Sequence, residues 1–358
     1  MICRVAYILK SFPVISQTFI LHEIDGLLSR EIEILILALA RSGGLVQHEL
    51  AQSERILKKV LFEADLFEPT LKAFSPQLLH SHFATEPTEV ALNLGTRLGI
   101  PVTFTAHGYD VYRTPPEDFP TRANRAARVI TVSRANQKHL VDVLGVKPGQ
   151  IRVIPNGVDT AYFSPDAFKP KPETFHIVCV ARLEPVKQID LLLSACAQMK
   201  ADGCSFRCTV LGDGSCREEL HELRSRLNLE ADVEFLGAVD RSIVRQFLQS
   251  AHVAVLTSWS EGYPVCLLES AATGIPAVAP AVGGIPEIIV HESTGFLTTP
   301  NDSLSIANAL TKLYEDLPMV KRMGEAARRL AVQEFSIETQ LDSLQSVWAE
   351  VIKTSTSL

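Results

Sequence analysis

Five residues of this chain have the charge or hydrogen-bonding capacity to handle a phosphorylated sugar: His107, Arg182, Lys187, Glu261 and Glu269. Arg182 and Lys187 stand five apart in Arg182-Leu183-Glu184-Pro185-Val186-Lys187. Two cations at that spacing, in a loop that ends a strand, suit a pyrophosphate: Arg as a planar fork, Lys as a point charge. The plain alternative is a surface loop with two ordinary cations. Glu261 and Glu269 bracket a helix start in the stretch SWSEGYPVCLLESAATGIP, residues 258–276. Pro264 fits the first helical turn, because its φ is already set and its N–H is missing. Such a helix start presents unpaired N–H groups and a positive dipole end, which favour a phosphate. A carboxylate beyond it can accept hydrogen bonds from a sugar diol. The segment Gly262-Tyr263-Pro264-Val265, leading into the helix, is read with Glu269 as a candidate phosphate- and sugar-binding stretch. The plain alternative is a strand–loop–helix unit with two solvated acids.

Two glycine loops strengthen the phosphate reading. Gly212-Asp213-Gly214 follows the strand-like run 208–211, and Gly283-Gly284 follows the run 277–279. Neither is a dinucleotide fingerprint, since Arg217 stands where a third glycine would be required, and no G-x-x-x-x-G-K-[ST] loop is present. The chain also lacks Asp-x-Asp, the usual short motif for a nucleotide-bound cation. The expectation is therefore no metal, with Arg182, Lys187 and the helix start balancing the charge of a bound pyrophosphate. His80 and His82 alternate to one face of a strand-like run, but no third ligand lies nearby in sequence. A polar strand end is the better account of them. His107-Gly108 closes the run 102–106 at a strand's carboxyl end, where open α/β sheets bind ligands.

These residues need a scaffold of strands that deliver them to one edge. Apolar runs at 5–9, 32–39, 78–83, 102–106, 129–132 and 151–154 read as buried parallel strands, with helical patterns between them. Ser16 is a candidate N-cap for the helix through Ile20, Ile24 and Leu27, and Ser133 for the helix that follows it. The same logic recurs at 176–180, 208–211, 233–236, 253–257 and 277–279 without sequence repetition. Helices are expected at about 303–317, 319–334 and 337–353. The expected division is 1–160, a Pro- and Lys-rich linker at 161–173, a second domain at 174–335, and a terminal helical segment at 336–358.

Bulk properties agree with two cores. The chain has 358 residues, 46% of them hydrophobic, and a net charge of −7. That charge argues against nucleic-acid binding. It is uneven: 17 Lys/Arg face 16 Asp/Glu in residues 1–165, and 17 face 25 in residues 166–358. A neutral half permits peripheral contact with an anionic membrane or acceptor. A basic interval, Arg122, Arg125, Arg128, Arg134 and Lys138, together with His82, offers the available hints of an acceptor region, although a solvated helix face is the commoner reading. The seven cysteines contain no C-x-x-C pair and suggest a reducing, cytoplasmic compartment. Cys204, Cys208, Cys216 and His221 match no common zinc spacing.

The motifs TAHGYD (105–110), VSRANQ (132–137), VIPNGVD (153–159), VARLEPVKQID (180–190), VLGDG (210–214), SEGYPVCLLESAATGIPAVA (260–279) and GGIPEII (283–289) together resemble the retaining glycosyltransferases of family 4. The opening SFPVISQTFILHEI is similar to members from bacterial exopolysaccharide and lipopolysaccharide assembly. The resemblance implies an α/β protein of GT-B architecture: two Rossmann-like doubly wound domains facing across a cleft, with a last helix crossing back to the first. It implies that Arg182 and Lys187 neutralise the diphosphate of a UDP-, GDP- or ADP-sugar. Glu269 would hold the ribose hydroxyls and Glu261 the donor sugar. His107 would reach the transferred sugar, and Gly283-Gly284 would lie beside sugar and phosphates. The acceptor would be a glycan, a lipid-linked or a small molecule, in the cytoplasm or at the cytoplasmic membrane face. The family often has Gly-Gly after its first strand, where Ser11–Gln17 stand here, and glycine at Gln188. Two other readings are a sugar-nucleotide epimerase of the same fold and a silent nucleotide-binding scaffold. Turnover of donor, interconversion of donors, or neither would separate the three.

Overall fold

The apolar runs become strands buried on both faces. The computed structural model describes residues 2–14, 17–41, 53–166 and 171–355. The chain divides into two units, Met1–Gly157 with Ile337–Leu358, and Val158–Ser336. The first unit holds β1 (Arg4–Phe12), β2 (Glu33–Arg41), β3 (Val60–Leu61), β4 (Leu78–His82), β5 (Val102–Ala106), β6 (Arg128–Thr131) and β7 (Ile151–Val153). They form one parallel sheet in the order β3-β2-β1-β4-β5-β6-β7. The second unit holds β8 (Phe175–Val180), β9 (Phe206–Leu211), β10 (Val233–Gly237), β11 (Val253–Val255), β12 (Ala277–Pro280) and β13 (Gly295–Thr298). Its parallel order is β10-β9-β8-β11-β12-β13. Each sheet is doubly wound, and each reverses direction once, between β1 and β4 or between β8 and β11. Chains leaving those two neighbours diverge at their carboxyl ends and leave a crevice for a ligand. The short strands β3 and β13 were not expected from sequence, being too brief or too interrupted to show a period.

Alternation along β1 builds two cores in the first unit. Val5, Tyr7 and Leu9 face one, with Ile20, Ile24 and Leu27 of the helix Thr18–Ser29. Ala6 and Ile8 face the other, with Leu92, Phe104 and Phe119. The last helix, Ile337–Ser355, belongs to the first of these cores through Leu341, Leu344, Val347, Trp348 and Val351. These residues recur at the spacing of one helix face. Arg30–Asp342 and Arg128–Glu350 ion pairs flank that face.

Three expectations change. The division falls after Gly157 rather than after residue 160. The stretch expected as linker instead begins inside the second unit. Phe163 is fully buried, and Arg328 donates to the carbonyls of Thr160 and Phe163. One large aromatic in a Pro- and Lys-rich run is enough to anchor it. The basic interval is largely neutralised. Arg122 pairs with Asp118, Arg125 with Glu89, Arg128 with Glu350 and Lys138 with Asp142. Two of those acids sit on other helices, which a linear reading cannot pair. Ser133 caps its helix as expected, its Oγ accepting from Asn136 N at 3.1 Å. Ser16 lies outside the described residues.

Candidate functional site

In the second unit the predicted residues gather at the carboxyl ends of β8 and β11, on either side of the reversal. Lys187 ends the turn Pro185–Lys187 after β8, and Glu261 lies in the loop after β11. Their side chains meet at 2.5 Å, with 16% and 11% of each exposed. Ser258 Oγ donates to Glu261 Oε1 at 2.6 Å, and Thr257 Oγ1 to the Lys187 carbonyl at 2.7 Å. Trp259 N donates to Val186 O at 3.1 Å. The two loops are thus laced together, and an ammonium and a carboxylate expected to serve different parts of a ligand hold each other. Sequence reasoning assigned no role to Ser258, since a direct bond from a hydroxyl to a carboxylate three residues on in a loop leaves no sequence signal.

The glycine loops approach this pair through backbone. Gly283 has φ +50°, and a Cβ there would stand 1.7 Å from the Glu261 carbonyl oxygen. Gly284 N donates to the same oxygen at 3.3 Å. Gly212 has φ +146°, with a Cβ position 1.9 Å from Ala181 O. Both sites exclude side chains for reasons of space and of backbone angle. Asp213 O accepts from Leu183 N at 3.0 Å, which ties the Gly212 loop to the loop of Arg182. The Arg182 side chain is exposed.

The helix spans Val265–Ala272, with Pro264 preceding it at φ −73° and no side chain capping its start. Gly262 is half-buried and Tyr263 and Pro264 are buried. The Tyr263 ring stands edge-on to Phe335 at 6.3 Å, so this side chain is a packing group. Burial pushes its hydroxyl well above the usual phenol range. Glu269 lies in the second turn. Burial pushes its carboxyl up to about 7, against the pull of the Arg241 charge. A partly desolvated acid of this kind gains by accepting hydrogen bonds from hydroxyls. A groove of about 890 Å³ in this unit, lined by Thr174, His176, Arg207 and Asp232, lies at the amino-terminal ends of the strands. Open α/β sheets do not place their ligands there.

In the first unit His107 follows β5, and its surroundings were mostly invisible in the sequence. Asp110 Oδ1 accepts from His107 N at 2.8 Å, and Oδ2 accepts from Ala84 N at 2.7 Å. One carboxyl therefore clamps the loops after β4 and β5. Burial raises its pKa to about 7, opposed by those backbone donors. Gly108 sits at φ −60°, a value open to any residue, so the expected glycine freedom is not used there. The rings of Phe19 and Phe83 each lie 4.7 Å from the imidazole of His107. Burial holds that imidazole well below its usual pKa, so it is neutral. His107 Nε2 lies 3.0 Å from His82 Nδ1, and His82 Nε2 lies 3.1 Å from Glu23 Oε1.

Glu23, His80 and His82 are buried, with potential ligand atoms within 4.8 Å of one another. The third partner absent near the histidines in sequence thus comes from the first helix. These groups are already committed. His82 and Glu23 bond to each other, and His80 Nδ1 and Nε2 lie 2.8 and 3.2 Å from the hydroxyls of Thr103 and Thr105. Cys204, Cys208, Cys216 and His221 form no such group among the described residues. Nor, among those residues, is any helix long and apolar enough to cross a membrane.

Two family models account for most of the chain: "Glycosyltransferase Family 4" matches residues 16–162 and "Glycosyl transferases group 1" matches residues 163–330. The chain is 33% identical to one subunit of the phosphatidylinositol N-acetylglucosaminyltransferase of Arabidopsis thaliana. That match covers 54% of this chain and 43% of the relative, so it spans under half of that protein's length. It is 26% identical to the amylovoran biosynthesis glycosyltransferase AmsK of Erwinia amylovora, over 86% of this chain and 78% of the relative. Among solved structures, that of Anabaena Alr3699/HepE in complex with UDP superposes with a TM-score of 0.82 at 22% identity. It covers 97% of this chain and 100% of that one. At that identity the likeness speaks for the fold alone: two Rossmann-like units as in GT-B glycosyltransferases.

Proposed function

The chain belongs to the family 4 glycosyltransferases, and on that premise we propose that it moves a sugar from a nucleoside-diphosphate sugar to a glycan or lipid-linked acceptor, with retention at the anomeric carbon and without a metal ion. The acceptor is a growing surface polysaccharide or its lipid-linked precursor; in support, the similar AmsK is named for the biosynthesis of amylovoran. The observation that carries this reading is the Lys187–Glu261 pair, bonded through backbone to the Gly283 loop at the reversal of the second sheet.

Breaking the bond between the anomeric carbon and the phosphate oxygen leaves negative charge on the diphosphate. Lys187, Arg182 and the start of Val265–Ala272 supply fixed positive potential for it. Glu261 holds the Lys187 ammonium in place and gives the sugar hydroxyls an acceptor. Glu269, its carboxyl pushed up to about 7 by burial, pairs with the ribose diol. The acceptor oxygen forms its bond to the anomeric carbon on the face the diphosphate leaves, and its proton passes to a phosphate oxygen. His107 is assigned the hydroxyls of the transferred sugar.

The test is a thermal-shift screen against UDP-, GDP- and ADP-sugars with and without EDTA, followed by NMR of the released or transferred sugar. The expected result is stabilisation by one donor class, unaffected by chelation, and a product with the donor's anomeric configuration. Loss of turnover with EDTA, or an inverted product, would overturn the mechanism. Donor interconversion without nucleoside-diphosphate release would point to an epimerase.

A further inference from the structure

A buried chain of hydrogen bonds runs from a backbone amide to the imidazole of His107, and its directions follow once His82 carries a single proton. Gly157 N lies 2.6 Å from Gln340 Oε1. A backbone N–H only donates, so this contact fixes the orientation of the Gln340 amide. Gln340 Nε2 is then the donor to Glu23 Oε2 at 2.9 Å. Tyr7 OH donates to Glu23 Oε1 at 2.7 Å. Tyr7 stays a neutral phenol, since burial and the Glu23 charge both oppose its ionisation. With its other contacts arriving as donors, Glu23 receives the Nε2–H of His82. When His82 carries a single proton, the Glu23 contact draws that proton to Nε2, and the bare Nδ1 accepts from His107 Nε2. His107 then carries its proton on Nε2 and its lone pair on Nδ1. Among the described residues no group bonds that Nδ1.

We propose that Glu23, oriented by Gln340 and acting through His82, is a positioning residue that fixes the tautomer of His107, so that His107 offers a bare Nδ1 as hydrogen-bond acceptor to a hydroxyl of the transferred sugar. The assignment to a sugar rests on the glycosyltransfer reading; the tautomer itself does not. Glu23 is 3% exposed, Gln340 7% and His82 1%. Water therefore has little opportunity to exchange the directions. A carboxylate that holds a histidine in one tautomer can matter greatly to catalysis, since the wrong tautomer costs about 10⁴ in kcat in a serine-protease triad.

Substitution at Glu23 makes a directional prediction. In Glu23→Gln the donor of Gln340 still points at residue 23, so the new amide must turn its oxygen towards Gln340. Its NH₂ then faces His82 Nε2. The directions reverse along the chain: His82 carries its proton on Nδ1, and so does His107. In the double variant Glu23→Gln with Gln340→Glu, the carboxylate at 340 accepts both from Gly157 N and from the NH₂ at 23. The amide oxygen at 23 faces His82 again, and the original tautomer returns.

The experiment is a long-range ¹H–¹⁵N correlation spectrum of the uniformly ¹⁵N-labelled full chain without donor, with His107 assigned by its loss in His107→Asn. The expected wild-type pattern is a protonated Nε2 and a bare Nδ1. Glu23→Gln reverses it, and the double variant restores it. Donor turnover falls roughly 10- to 100-fold in the single variant, with a much smaller change in KM, and recovers in the double. A bare Nε2 on His107 in the wild type overturns the proposal without recourse to any variant. So does a folded Glu23→Gln protein that keeps the wild-type tautomer. If the tautomers behave as expected but no sugar donor is turned over, the glycosyltransfer reading fails and the relay stands.

Discussion

Lys187→Ala is the sharpest perturbation of the second-unit site. The substitution removes the partner of Glu261 at 2.5 Å, in a place where both side chains are mostly covered. Deleting one member of a buried pair costs about 3–5 kcal/mol when the remaining charge has no other support. Here Ser258 Oγ still donates to the carboxylate, and residual exposure lets water in, so about 1–2 kcal/mol of stability is the expected loss. The effect on turnover is larger. A fixed donor aimed at developing oxyanion charge is worth about 10²–10³ in rate, near 2.7–4 kcal/mol. The unpaired Glu261 carboxylate would also repel the diphosphate. The expected fall in kcat/KM is therefore at least 10²-fold, with the protein still folded. Adding Glu261→Gln should recover part of the donor affinity, because it removes the repulsion, but not the rate. The assay is nucleoside-diphosphate release from the preferred donor, with thermal melting beside it. Wild-type turnover in Lys187→Ala would refute the assignment of this cluster to the leaving group.

Three further outcomes follow from other parts of the molecule. Asp110 has a folded pKa raised to about 7 against an unfolded value of about 3.9, so its protonated form favours the fold. Its stabilising contribution is full below about pH 4 and is lost as pH climbs through 7. His176 and His252, lowered to about 4 by burial, work in the opposite sense, losing stability as pH falls from about 6.5. Comparing melting temperature against pH for wild type and Asp110→Asn isolates the first effect; parallel profiles from pH 4 to 7 would count against it. Gly283→Ala forces a left-handed backbone angle and a contact 1.7 Å from Glu261 O. It should cost about 1–3 kcal/mol and depress donor turnover together, whereas an unchanged urea midpoint would contradict that geometry. Trp348 is fully buried, with its ring 6.2 Å from Tyr7 and 5.3 Å from His80. Trp348→Ala should cost about 3–5 kcal/mol in chemical denaturation, and a loss below 1 kcal/mol would mean that the last helix contributes little to the first unit.

Much of the fold is written locally. Strands such as β5 and β8 are short runs apolar on both faces, and the loops at their ends carry His107, Arg182 and Lys187. Chemistry at the carboxyl end of a parallel strand can be read along the chain because strand, loop and helix are consecutive. The second-unit site was legible for that reason. Strand–loop–helix units deliver all of its residues, and the reversal between β8 and β11 sets two such loops side by side. The linker was misplaced because composition averages over a stretch, while one aromatic, Phe163, decides whether it is anchored.

The sequence alone determined which residues stand at the strand ends and that two doubly wound units carry them, since periodicity and motif order are properties of the chain. Only the tertiary structure decided what those residues touch. Lys187 finds Glu261 across 74 positions, and Gln340 reaches Glu23 across 317. The proton position on His107 depends on a backbone amide at Gly157, two side chains on different helices and a neighbouring strand. A hydrogen bond has a direction only once both partners are in place, and no local pattern records partners that distant parts of the chain bring together.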